Sequence, residues 1–271
     1  MGDLKKAGEI LETVVEDGNE ELSRASLGLG ISGLAAGLNI SFSAVALGVV
    51  GSLTGGVGLA AALLYPIGFL IVILGRSQLY TENTVTPVAV VLTDSSALWN
   101  MLRLWVVIFA ANVVGAMLFA ATVVYGEVLP PPALQVLFDE VAGKLDHGFW
   151  NATLKAVVGG WLVALMAWLV AASRDTISQV VVIYVLAFLI PAGGLIHCIA
   201  GSSEVLISVF AGEVSFSEYL GGFLAPATLG NTIGGVFLVA LLNYGQVAGS
   251  KSGAKTSLSG YTAESGQRED T

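Results

Sequence analysis

A chain of 271 residues carries 55% hydrophobic and only 11% charged side chains, with mean hydropathy +0.82 and a formal net charge of −9. Soluble domains average about 25% charged residues, so too few charges are present to clothe a water-facing surface, and an all-α integral membrane protein is expected. The acidic balance argues against a nucleic-acid partner. The single cysteine excludes an intrachain disulfide, and no CxxC or HExxH spacing offers a metal or cofactor site.

Residues 3 to about 22 are polar, with Leu4, Ala7, Leu11, Val14 and Val15 recurring on one helical face. This predicts an amphipathic N-terminal helix within 1–24, lying on the membrane or against a channel mouth; a solvated helical tail is the plainer alternative. Six apolar segments follow within 25–245. The first, about 27 to 50, holds Gly33 and Gly37 at GxxxG spacing, suited to close helix packing. The second, about 57 to 93, exceeds the roughly 20 residues one span needs and is interrupted by "GRSQLYTENT". The third spans about 99 to 124 and the fourth about 152 to 172, with Trp150 placed as an interfacial anchor. The fifth, about 178 to 210, is again too long and is broken at "GGLIHCIAGSS". The sixth covers about 220 to 243, and the polar, small-residue-rich stretch 246–271 predicts a disordered tail.

With six spans both termini share a side. That side would carry Lys5, Lys6, Arg24, Arg103, Arg174, Lys251, Lys255 and Arg268, against only Lys144 and Lys155 opposite. The excess predicts cytoplasmic termini in the cell membrane. Arg76, inside the second segment, belongs to neither group.

The second and fifth segments are the middle members of two sets of three, and both are interrupted near mid-length. Such correspondence marks an internal inverted repeat with its site at the repeat interface. Arg76 and Glu82 lie in the first break; His197 and Glu204 lie in and after the second. Intramembrane charges usually face a partner or a water-filled path. Arg76, Glu82 and Glu204 therefore either form a structural charge network across the breaks or meet a substrate. His197 is the natural proton exchanger of the set. It either neutralises a weak-acid anion at a pore centre or merely hydrogen-bonds one helix to another.

The combination of "SGLAAGLNISFSA", "GRSQLYTENT", "LIHCIAG" and "PATLGNTIGG" over residues 3–245 resembles the formate–nitrite transporter family, with "LYTENT" closest to a less characterised subgroup. The resemblance implies an aquaporin-like protomer of six transmembrane helices in two inverted three-helix repeats, the second and fifth broken. It also implies a homopentamer with a pore in each protomer and small monovalent weak-acid anions as substrates. On this likeness the pore histidine is His197, the loop threonine Thr81 and the last-span asparagine Asn231. Lys144 would draw anions at the outer vestibule, and Leu79, Tyr65, Phe69 and Ile190 would form the apolar constrictions. Ile196, Gly201 and Gly160 stand where many members carry glutamate, asparagine and asparagine. The expected function is therefore a channel or transporter, not an enzyme, with His197 donating a proton to the anion. A channel for small neutral solutes and a non-conducting sensor or scaffold are the alternatives.

Overall fold

Apolar runs of this length can satisfy their backbone in lipid only as helices or closed barrels, and here every regular element is helical. The computed structural model describes residues 4–250, with no strand among the described residues. In chain order the helices are α1 (Ala7–Ser23), α2 (Ser26–Thr54), α3 (Leu59–Leu74), α4 (Thr86–Thr93), α5 (Ser95–Tyr125), α6 (Pro131–Leu145), α7 (Phe149–Ala172), α8 (Thr176–Ala192), α9 (Cys198–Phe210) and α10 (Phe216–Ser250). Four of them, α2, α5, α7 and α10, are long and apolar enough to cross a membrane. α10 remains helical to Ser250, beyond the expected end of the sixth segment; residues 251–271, where most of the predicted tail falls, lie outside the described residues.

The long helices pair by backbone approach. A side chain at Gly37 of α2 would run into the backbone of Asn112 on α5, and one at Gly160 of α7 into the backbone of Asn231 on α10. Small residues at such points let helices close on each other where lipid supplies no hydrophobic drive. α2 bends at Ser41, whose hydroxyl donates back to the Gly37 carbonyl at 2.8 Å. Two π-helical stretches, Tyr219–Leu224 and Val236–Leu241, bracket the Asn231 segment of α10.

The two breaks share one backbone construction. α3 ends where Ser77 N–H donates to Val72 C=O at 3.1 Å, and α8 ends where Leu195 N–H donates to Ile190 C=O at 2.8 Å. This is the six-to-one bond of a Schellman end. The residue before each donor is left-handed, Arg76 with φ 54° and Gly194 with φ 57°. Glycine takes that conformation freely, whereas arginine carries a steric cost. The second break is shorter than its sequence suggests: helix α9 starts at Cys198, so only residues 193–197 are non-helical.

α1 packs on α4 through Leu11 and Val14, which share an apolar cluster with Val85, Ala89, Ala164, Trp168 and Val239. Gly18 and Leu22 complete the buried stripe, while Leu4 stands exposed and takes no part in it. Lys5 Nζ donates to the Ala171 carbonyl at 2.6 Å near the end of α7, and Arg103 donates to the Leu22 and Arg24 carbonyls at 2.9 and 3.1 Å. Trp150 is 72% exposed at the start of α7.

Candidate functional site

His197 is the N-cap of α9. Its extended backbone places the ring so that Nδ1 accepts the Ala200 N–H at 3.0 Å, while Nε2 lies 2.7 Å from the Thr81 hydroxyl in the other break. An Nδ1 that accepts a backbone amide carries no proton, so a neutral ring holds its proton on Nε2 and donates it to Thr81 Oγ1. The Thr81 O–H is then free to donate elsewhere. Both side chains are buried, and Phe69 meets the imidazole edge-on at a centroid separation of 5.2 Å. Leu79, Tyr65 and Ile190 are buried as well.

Asn231 reaches from α10 to both sides of His197. Its Oδ1 accepts the Cys198 N–H at 2.7 Å, and its Nδ2 donates to the Ile196 and Ala156 carbonyls at 2.9 and 2.7 Å. Asn112 of α5 does the same for the first break, accepting the Tyr80 N–H at 2.9 Å and donating to the Gln78 and Gly33 carbonyls at 2.9 and 2.8 Å. Non-helical backbone at membrane depth needs such partners. The sequence reading singles out Asn231 and misses Asn112. A signal for it exists: "NVVG" in the third segment and "NTIG" in the sixth pair an asparagine with a glycine three residues on.

The expected charge network across the breaks is not formed. Among the described residues, Glu204 pairs with Lys144 of α6, which also holds Glu140 at 3.3 Å, and no ion pair joins Arg76 to Glu82 or Glu204. The physical reason is placement. Glu204 lies two turns along α9 from His197, beside α6, whereas Arg76 and Glu82 open on a cavity beneath α1. That cavity, about 560 Å³, is also lined by Lys5, Asp17, Glu21, Arg24 and Gln78. Lys144 is accordingly no free surface cation: two carboxylates hold it, and its side chain is only 14% exposed.

A sequence profile described as Formate/nitrite transporter matches residues 8–245. The chain belongs to this family. It is 32% identical over 268 residues to the inner membrane protein YfdC of Escherichia coli, covering 96% of this chain and 84% of that one. It is 25% identical to the formate channel BtFdhC of Bacillus thuringiensis, covering 86% and 92%. Among solved structures it resembles an FNT family ion channel with a TM-score of 0.74 at 20% identity, covering 86% of this chain and 97% of that one. A pentameric formate channel with formate bound gives 0.69 at 20% identity, covering 81% and 96%. The chain is thus a multi-pass membrane transporter of the formate/nitrite type.

The departures expected around the histidine acquire physical causes. At Gly160 the backbone of Asn231 lies against the helix, leaving no room for an asparagine side chain. At Gly201 the ring of Phe223 occupies the space a side chain would fill. Ile196 is held through its backbone, its carbonyl bound by Asn231. Close backbone approach at Gly160 and the Phe223 ring at Gly201 therefore fill the space that larger side chains would need.

Proposed function

We propose that the protomer conducts small monovalent weak-acid anions, formate, nitrite or similar, across the cell membrane. It does so through a path that crosses between the two breaks at His197 and Thr81. Six spans in two inverted three-helix repeats, an aquaporin-like protomer, cytoplasmic termini and a homopentameric assembly complete the reading. The matched Schellman ends and the paired Asn112 and Asn231 clamps support the repeat. The likeness to a pentameric formate channel supports the assembly and the substrate class.

The observation that carries the reading is the His197–Thr81 contact, a buried donor pair shared between two helix interruptions. A passing anion accepts the free Thr81 O–H, and the Nε2 proton polarises that hydroxyl from behind. Phe69, Leu79, Tyr65 and Ile190 form the dry constrictions on either side, which a neutral acid crosses far more cheaply than its anion. The donation is a hydrogen bond first. Full proton transfer would leave an imidazolate, or would require Nδ1 to be protonated and to release the Ala200 amide. Acid formation at His197 therefore comes at the expense of the α9 cap.

Uptake of formate, nitrite, acetate and lactate into proteoliposomes over a range of pH tests this. Flux above protein-free vesicles, rising in acid and lost in His197→Ala, is expected. Weak-acid uptake left intact by that change would sink the donor role. Passage of ammonia alone, indifferent to anions, would favour a neutral-solute channel.

A further inference from the structure

Two residues that line the cavity beneath α1 each leave one oxygen without a hydrogen-bond partner. Gln78 sits between them in a chain of directed bonds. Its Nε2 donates to Glu21 Oε1 at 2.6 Å, and its Oε1 accepts from Asn83 Nδ2 at 2.9 Å. Asn83 Nδ2 donates a second time, to the Leu79 carbonyl at 2.9 Å. With both amide hydrogens spent on acceptors, the atom left over is Asn83 Oδ1; at the other end of the chain it is Glu21 Oε2. Both atoms are buried acceptors, and Asn83 as a residue is only 3% exposed. A buried acceptor without a donor is costly, and here two of them end one relay whose three residues all line the same cavity.

The cavity also holds a cation with the opposite need. Arg76 enters no ion pair among the described residues. Its left-handed backbone, φ 54°, stands where the second break has Gly194. An arginine kept at a steric cost where glycine would serve points to a use for its guanidinium. The lining as a whole carries four carboxylates, Asp17, Glu20, Glu21 and Glu82, against three basic side chains, so neither a bare cation nor a bare anion complements it. At about 560 Å³ the space suits a small molecule.

We propose that this cavity binds a small zwitterion with a primary ammonium and a carboxylate group, an amino acid by chemical class. The ammonium donates to Asn83 Oδ1 and Glu21 Oε2, and the carboxylate takes the fork of the Arg76 guanidinium. Because the two oxygens are buried, only a compact donor that enters between α1 and the loop reaches them. A primary ammonium carries its three N–H donors on one atom, whereas a trimethylated nitrogen has none. The bound molecule adds a second tie between α1 and the loop that carries Thr81, beside the Glu21–Gln78 bond already present. Binding here is measured without flux, so failure of this proposal and failure of the transport reading are separate results.

Calorimetric titration of the purified full-length protein in detergent tests this with glycine, β-alanine and 4-aminobutyrate, whose charged groups lie at increasing separation. Ethylammonium and propionate supply the two halves of the ligand, and trimethylglycine its blocked form. At least one of the amino acids is expected to bind about tenfold or more tightly than any of these controls. Arg76→Gly should remove that margin, so that the amino acid binds no better than ethylammonium. Glycine adopts this φ freely, so thermal unfolding of the variant should not fall, which separates loss of binding from loss of fold. Glu21→Gln still accepts the Gln78 amide through its own carbonyl, and should weaken the amino acid and ethylammonium alike. No binding by any of the amino acids, ethylammonium binding as tightly as they do, or an affinity unchanged in Arg76→Gly would each overturn the proposal.

Discussion

His197 performs two tasks with its two nitrogens, and substitution can separate them. Asparagine at an N-cap accepts a backbone amide well, whereas alanine does not, a difference worth about 1 kcal/mol. His197→Asn therefore keeps the start of α9 while removing the Nε2 donor; His197→Ala removes both. Thermal unfolding in detergent should rank wild type and His197→Asn close together, with His197→Ala lower. Proteoliposome flux should be lost in both variants. Flux retained in His197→Asn would place the essential role in the cap. His197 is legible in the sequence as a titratable group inside an apolar segment, whereas Thr81 follows only from the family resemblance of "LYTENT". The partner of Glu204 is not legible there. Lys144 lies in a segment outside the six apolar runs, and only the return of α6 onto α9 brings its ammonium to the carboxylate.

At the scale of elements, the breaks are held by the helices beside them. Asn112→Leu removes three hydrogen bonds, to the Tyr80 amide and to the Gln78 and Gly33 carbonyls, of which the Gly33 carbonyl alone keeps a helical partner. At roughly 1 kcal/mol for each buried bond the loss is about 3 kcal/mol. It also frees the loop that carries Leu79 and Thr81, so flux should fall even in protein that stays folded; unchanged flux in folded Asn112→Leu would remove its positioning role. Gly160→Ala acts on the same architecture from the other pair of helices. A methyl group against the Asn231 backbone is expected to lower stability by about 1–3 kcal/mol, and an equally stable variant would contradict the close α7–α10 contact. The interruption of the second and fifth segments was readable from their length and polar insertions. The extent of the second break was not, because "CIAGSS" has the small polar residues of a loop yet forms the first turns of α9. Its buried hydroxyls are satisfied inside the fold: Ser202 donates to Cys198 C=O at 2.6 Å, and Ser203 pairs with Ser41 at 2.6 Å.

For the whole molecule, the placement of α1 connects water to the first break. Glu21 accepts the Gln78 amide at 2.6 Å, and Gln78 in turn accepts from Asn83 at 2.9 Å, so α1 is tied to the loop that carries Thr81. Burial raises the Glu21 carboxyl above its ordinary value, with the Gln78 hydrogen bond and Arg24 pulling it back; burial likewise raises Asp17, against the pull of Arg76. A carboxyl raised in the docked state contributes its stability fully below its undocked value and loses it as pH rises through the docked one. α1 should therefore seat most firmly in acid and loosen as the medium becomes neutral. Hydrogen exchange of the α1 amides, expressed as protection so that the intrinsic pH dependence cancels, should show protection falling with rising pH. Glu21→Gln combined with Asp17→Asn should flatten that slope while preserving the contact to Gln78. A slope unchanged in the double variant would locate the sensitivity in other groups of the cavity. A slope that disappears would mean that the helix seat and the weak-acid load respond to the same variable. Acid would then raise the protonated share of the substrate while tightening α1 over the cavity, so the two effects would oppose each other in the measured flux. The double variant, neutral at these two positions at every pH, would reveal this as lower flux than the wild type near neutral pH and equal flux in acid.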